Sequence, residues 1–315
     1  MNLLRRIQDR ITEWERYDRF VLRKRLLLES DEAFVRRRFR EVLGRPPDLV
    51  APKTFCEKIT WLLLFFRPPG LAPLADKHEV RTYVGERIGT AHLVETYGLY
   101  SRTADIDWAA LPPAFVLKAT HGCKWNLLCP DKTRLDRRRA QEQMDRWLRR
   151  NFYWYGREWV YRDLAPRILA ERFLQDVNGQ PPPDFKFFCF DGVPRLVQVD
   201  VDRFRHHRRS FYLPDWIRLP ATMTYPPIAE PVPPPARLAE MLHICQQLAR
   251  GFPFVRVDLY DCPKRVVFGE MTFLPGRGIE PFDQAEYNRQ IGDWIRLPAP
   301  VPDVSRLARL RAALR

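Results

Sequence analysis

The chain has 315 residues, 45% hydrophobic and 13% aromatic with 9 Trp and 20 Phe, which excludes a disordered chain or a short module and leaves one large or two to three small globular domains. Lys and Arg total 53 against 39 Asp and Glu, a formal charge of +14 that favours an anionic partner: a nucleotide, a nucleic acid, an anionic polymer or a membrane surface. The longest apolar run, Trp61 to Phe66, is far short of the roughly 18 to 20 residues of a membrane span, and MNLLRRIQDR lacks the apolar stretch and cleavage site of a secretory signal, so a cytosolic protein is expected.

In chain order, Leu4, Ile7, Ile11, Trp14 and Val21 form the stripe of an amphipathic helix over 3 to 22. A second helix, Asp31 to Leu43, carries Arg36, Arg37, Arg38 and Arg40 and stops at Gly44 before Pro46 and Pro47; a third begins near Thr54 and ends at Pro68. Turn signals at RPPG and LAP then mark a change of character. From residue 71 onward strand runs at Phe115 to Ala119, Ile168 to Phe173, Phe185 to Phe190, Arg195 to Val201, Phe254 to Tyr260 and Arg265 to Phe273 alternate with helical patterns at 76 to 88, 136 to 152 and 236 to 250. PPP at 181 to 183 and PVPPP at 231 to 235 read as stiff connectors. The six Cys include no CxxC pair and the six His are scattered, so neither a disulfide framework, a structural zinc site nor transition-metal chemistry is expected. His206 and His207 fall in RFRHHRR, a basic loop that is either solvated or faces an anion, with Arg203, Arg205, Arg208 and Arg209 as its cations.

The most informative segment is FVRVDLYDCPKRVVFGEMTFLPGRG, residues 254 to 278. Two strands around a turn at Asp261 to Lys264 would set Asp258 near Glu270, on one face if register allows, and Arg256 would share that side by strand alternation. Two converging carboxylates suit magnesium, and the arginine an anionic transition state. An exposed hairpin with its charges in solvent would carry the same alternation. In LPPAFVLKATHGCKWNLLCPDK a strand ending in Lys118 meets a loop with Gly122, a way to grip phosphates by charge and backbone amides, although a strand lysine also serves as an ordinary edge residue. The loop has neither GxGxxG nor GxxxxGKT.

Together with PKTFCEKITWL, LADKHEVRTYVGERIG and PRILAERFL followed by DFKFFCFDG, these stretches resemble, in this order and over about residues 50 to 298, the ATP-grasp superfamily and within it the TupA-like family associated with teichuronopeptide and other surface-polymer biosynthesis. The resemblance implies an α+β ATP-grasp fold with a helical N-terminal region at 1–70, an α+β segment leading into the fold at 71–115, a central lid subdomain at 116–183, a C-terminal subdomain at 184–298 and a basic tail at 299–315. It implies ATP and Mg as cofactors, with Lys77 and Lys118 on the phosphates, Glu171 and the backbone of Arg172, Phe173 and Leu174 as the adenine hinge, Asp184 on the ribose and Lys186 toward phosphate or acceptor. Asp258 and Glu270 would hold the metal with Thr272, which stands where the wider superfamily has Asn; Arg256 and Lys118 would act in catalysis, and the PGRG loop at 275–278 would border the acceptor. Lys124 and Trp125 make a bulkier phosphate loop than the Gly- and Ser-rich one of its relatives.

The implied activity is an ATP-dependent ligase that converts a carboxylate to an acyl phosphate and joins it to an amine, with an anionic carbohydrate or carboxylate acceptor. Two alternatives stay open: a kinase acting on a sugar hydroxyl, which shares the nucleotide site, and a nonenzymatic basic surface-binding protein. No nucleic-acid motif is present. In the tail VSRLARLRAALR, Leu307, Leu310 and Leu314 share a helical face flanked by Arg306, Arg309, Arg311 and Arg315, which either docks on the body or contacts an anionic membrane peripherally.

Overall fold

The computed structural model describes residues 29–176, 179–202 and 206–301. The helix expected over 3 to 22, Arg203, Arg205 and the tail beyond residue 301 lie outside the described residues.

Helix α1, Asp31–Leu43, starts because the Ser30 side chain accepts the Ala33 N–H, and ends because Gly44 takes a left-handed turn (φ 73°) and returns its N–H to Arg40. Its exposed arginines are largely engaged by Glu29, Glu32 and Glu41. Helix α2, Phe55–Phe65, opens on a capping box between Thr54 and Glu57. Burial pushes the Glu57 carboxyl up, but bonds from Arg45 and the Thr54 and Lys53 amides outweigh it and hold the group at about 2. The helix stops at Phe65, short of the expected Pro68. Of the pattern over 76 to 88 the structure forms α4, Val80–Ile88, and a separate short α3, Leu71–Ala75, precedes it. The break is Asp76, wholly buried, whose carboxylate accepts the His78 and Glu79 N–H groups at 2.8 and 3.0 Å.

Two antiparallel sheets follow. The first has order β1-β4-β2-β3, with β1 Thr96–Tyr100, β2 Phe115–Ala119, β3 Asn126–Cys129 and β4 Ile168–Arg172. Phe115, Leu117, Ala119, Ile168 and Ala170 share a core with Met144 and Trp147 of α5, Arg137–Leu148. A short α6, Tyr153–Gly156, precedes β4. The second sheet has order β10-β9-β5-β6-β7-β8: β5 Asp184–Phe190, β6 Val193–Val201, β7 Arg208–Tyr212, β8 Arg218–Leu219, β9 Phe254–Cys262 and β10 Arg265–Thr272. Helix α7, Leu238–Ala249, packs against β5, β6 and β9, and α8, Ala285–Asp293, lies on α2. Gly292 permits that approach, since a Cβ there would meet the Lys53 carbonyl and Phe55 amide at 2.5 and 2.6 Å.

Alternation divides the six-stranded sheet into unlike faces. Phe185, Phe187, Val255, Val257, Val197 and Val199 are buried on one side. The opposite side is split: Phe188 and Phe254 receive Phe55 of α2 at 6.0 and 5.6 Å between ring centroids, with Phe190, Leu196 and Phe211 also on this side, while Asp200, Asp184, Lys186, Arg256, Asp258 and Glu270 make the remainder polar. Arg208 and Arg209 do not belong to a basic loop as expected, because they begin β7 and Arg209 is buried against Asp200 at 2.7 Å. Asp200 lies directly opposite Asp184 in the register; burial pushes its carboxyl up, but His207, Arg209 and Lys186 outweigh it and hold the group well below the usual carboxylate range.

Helix α1 is tied to the body by Asp31, which pairs with Arg67 at 3.0 Å and with the buried Arg157 at 3.6 Å and accepts the Tyr153 hydroxyl. Arg157 also stacks over Phe34 and Trp154, at 5.2 and 4.7 Å from the centroids. Asp31→Ala removes a carboxylate from beside that buried cation and is expected to lower stability by about 2 to 4 kcal/mol, measured as the denaturation midpoint. An unchanged midpoint would mean that α1 contributes little to the fold.

Candidate functional site

The polar half of the six-stranded sheet is a row set by strand register. Glu270 of β10 lies opposite Asp258 of β9, and Asp258 opposite Lys186 of β5; Thr272 lies opposite Arg256. The turn of this hairpin is tighter than expected, with β9 running to Cys262 and β10 starting at Arg265.

The register of Glu270 depends on a bulge at Gly269. Phe268 pairs with Leu259 but Glu270 pairs with Asp258, so two steps on β10 match one on β9. Plain alternation would have placed Glu270 on the same side as Phe268, in the apolar core. A Cβ at Gly269 would sit 3.0 Å from both the Asp258 carbonyl and the Tyr260 ring, which leaves glycine the residue that fits.

Arg256 grips Asp258 with both arms, Nε to Oδ1 at 2.7 Å and Nη2 to Oδ2 at 2.8 Å, and Nη2 reaches Glu270 and the Thr272 hydroxyl at 3.1 Å each. The Thr272 hydroxyl in turn donates to Glu270 at 3.2 Å. Lys186 donates to Asp258 and Asp184 at 2.5 Å each. Asp258 is 2% exposed; burial pushes its carboxyl up from the usual range while Arg256 and Lys186 pull it down. Burial alone would lower the Arg256 guanidinium, but Asp258 beside it raises it and keeps it charged. The donor set of two carboxylates and a hydroxyl is hard oxygen and fits magnesium. Arg256 stands between the carboxylates, so a divalent ion entering here must share them with the guanidinium.

The four-stranded sheet supplies a second group. Lys118 of β2 pairs with buried Glu171 of β4 at 2.6 Å, and Arg81 of α4 approaches Glu171 at 3.8 Å. Register puts Val116, Lys118, Leu169 and Glu171 on the side away from the α5 core. Lys77 donates to the carbonyl of Gly122 in the turn after β2, and its own N–H bonds to Thr120 at 3.3 Å. The Arg172 N–H, one of the expected hinge donors, goes to the Glu95 carbonyl at 2.9 Å, leaving Phe173 and Leu174 as the segment beyond the strand. Leu174 and Tyr260 of β9 both pack on the small cluster of Val94, Cys262 and Val267, and Cys123 of the turn after β2 lies within electrostatic reach of Glu270 and Lys77, so the turn after β2 links the two polar groups.

The structure thus brings Asp184, Lys186, Arg256, Asp258, Glu270 and Thr272 into one bonded network and joins Lys118 to Glu171, while Lys77 stands apart on the Gly122 turn. Sequence reading missed Arg81, Glu158, Tyr161 and the Asp200–Arg209 pair. Gly269 just before Glu270 was the legible signal for the bulge. Among the described residues no cluster of three or more His, Cys, Asp or Glu is arranged to hold a metal, and no helix is long and apolar enough to cross a membrane. All six cysteines are free thiols, five of them buried.

These two antiparallel sheets with their flanking helices define an α+β protein, and comparison of the sequence with family models assigns it further. Residues 57–296 match the TupA-like ATPgrasp family, and the chain belongs to that family. No curated protein matches the sequence. Among solved structures it is similar to the ATP-grasp ligase PsnB complexed with a minimal precursor, with TM-score 0.41 and 11% identity over 73% of this chain and 63% of that one. It is also similar to D-alanine–D-alanine ligase from Bacillus anthracis complexed with ATP, with TM-score 0.40 and 12% identity over 76% and 66%. Phosphoribosylamine–glycine ligase from Thermotoga maritima gives TM-score 0.38 and 12% identity over 64% and 48%. The chain therefore spans less than two thirds or just under two thirds of the length of each.

Proposed function

We propose that this protein is an ATP- and magnesium-dependent ligase that activates a carboxylate as an acyl phosphate and joins it to an amine, in the making of a cell-surface polysaccharide or peptide polymer. The observation that carries the reading is the row Lys186–Asp258–Arg256–Glu270, two carboxylates and two cations on one sheet face, in a chain of the TupA-like ATPgrasp family. Phosphoryl transfer asks a protein for positioning and electrostatics rather than a covalent nucleophile, and this face offers those.

In this reading Lys77 and Lys118 bind the ATP phosphates, with Glu171 holding Lys118 in place until they arrive. Glu171 with the backbone of Arg172, Phe173 and Leu174 borders the adenine, and Asp184 binds the ribose hydroxyls next to Lys186. Asp258, Glu270 and Thr272 hold magnesium, which when bound offsets charge on the phosphate oxygens. Arg256 keeps its planar fork near the carboxylates in the ground state and stabilises the equatorial oxygens of the phosphoryl group in flight. The partners are ATP and an anionic carbohydrate or other carboxylate.

The reading is tested by product analysis with ATP, magnesium, candidate carboxylates and hydroxylamine as a trapping amine. A ligase yields a hydroxamate with equal amounts of ADP and free phosphate. A stable phosphorylated sugar that resists hydroxylamine would overturn the ligase in favour of a kinase.

A further inference from the structure

The segment that follows α6 brings a carboxylate, one that the site residues do not account for, beside the turn after β2 and the PGRG loop. Glu158 is 6% exposed, and among the described residues its side chain makes no hydrogen bond and no ion pair within 4 Å, an arrangement that ordinarily costs stability. Four charged or titratable groups face it from the elements packed around it: Arg277 and Glu280 of the PGRG loop and its flank, Cys123 of the turn after β2, and Tyr161 on its own segment. Tyr161 and Cys123 bond to each other at 3.0 Å, and both lie within electrostatic reach of Glu270.

The PGRG loop is shaped to present its arginine here. Gly276 and Arg277 both take left-handed backbone angles, φ 56° and 57°, and the Arg277 side chain crosses Gly156, where a Cβ would meet its Cδ at 2.0 Å. Arg277 donates to the Tyr155 carbonyl at 3.3 Å and forms no ion pair among the described residues. On the other flank of the loop the Thr60 hydroxyl, wholly buried and without a hydrogen-bond partner, ends against Gly278. An anion and a cation, each short of partners, stand beside the loop that follows Glu270, and a partnerless hydroxyl lies against its far end.

Resting on the ligase reading, we propose that Glu158 and Arg277, with Thr60 behind the loop, form the subsite for the attacking amine, and that this amine belongs to an amino acid whose ammonium meets Glu158 and whose carboxylate meets Arg277. The Glu158 carboxylate takes one proton from the ammonium and leaves the nitrogen lone pair free. The C–N bond forms as the bond between the acyl carbon and the phosphoryl oxygen breaks; the second proton lost from nitrogen leaves with phosphate as hydrogenphosphate, and Glu158 returns its proton to water. Burial pushes the Glu158 carboxyl up to about 7, against the pull of Arg277, which suits a base working near neutral pH.

The test is saturation-transfer NMR on the full chain with magnesium and AMPPNP, probed with a mixture of the standard amino acids at millimolar concentration, while calorimetry follows AMPPNP on the same samples. The expected result is a signal from at least one amino acid that weakens about tenfold or more in Glu158→Gln and in Arg277→Met, with AMPPNP affinity and melting temperature kept. Arg277→Met changes a half-buried loop position and so keeps the test open if Glu158→Gln is poorly folded. AMPPNP binding without any amino-acid signal in the parent, or signals undiminished in both variants, overturns the subsite alone. Absence of AMPPNP binding in the parent removes the ligase reading and the subsite together.

Discussion

Replacing Asp258 by Ala is expected to lower stability by about 3 to 5 kcal/mol, the scale of leaving buried charges without their counter-ion. The carboxylate is the centre of the row: Arg256 binds both its oxygens and Lys186 one of them. Arg256 keeps Glu270 and Lys186 keeps Asp184, which places the loss toward the lower end of that range. Asp258→Asn, which preserves shape and one acceptor, should lose less. Equilibrium denaturation of the three proteins separates the outcomes, and equal midpoints for parent and Ala would show that the row is not a coupled ion-pair network.

Arg256→Lys should lower kcat by roughly 10²- to 10³-fold, the loss seen when one preorganised donor to a transition state is removed, with little change in AMPPNP affinity. A lysine retains the charge but not the fork that spans Asp258, Glu270 and Thr272 at 2.7 to 3.1 Å. Rapid-quench turnover on the substrates that product analysis defines gives the number. A rise in KM alone would reassign Arg256 to ground-state binding.

The strands were the legible part of this fold because most are buried on one face or both and so carry apolar runs; Phe115–Ala119 was predicted to the residue. Strands β1, TYGLY, and β3, NLLC, escaped because they are the short edges of their sheet, half exposed and without alternation. Helix α8 escaped because only Ile291 and Gly292 are buried from it, too few to make a stripe.

The same contrast holds in the site. Asp258 and Glu270 could be placed on one hairpin from spacing, yet their shared face follows from the Gly269 bulge, which a period of two does not foresee. Asp200 and Arg209 read as a strand end and a basic loop because their pairing joins β6 and β7 across a connection with no turn signature. Glu158 was invisible for a different reason: WYGREWVY has no period, and only the packing of that segment against the PGRG loop and the turn after β2 gives its carboxyl a setting.

The claim at the centre is that the sheet row binds the metal of a metal–nucleotide pair, and titration calorimetry of AMPPNP with and without magnesium, on the parent and on Glu270→Ala, tests it most directly. Glu270 is the more exposed of the two carboxylates, 37% at the side chain, so its removal is the milder change to the fold. The account predicts tight binding by the parent only with magnesium, and a variant in which magnesium no longer adds affinity although the melting temperature is kept. Equal affinity of parent and Glu270→Ala in saturating magnesium would contradict it.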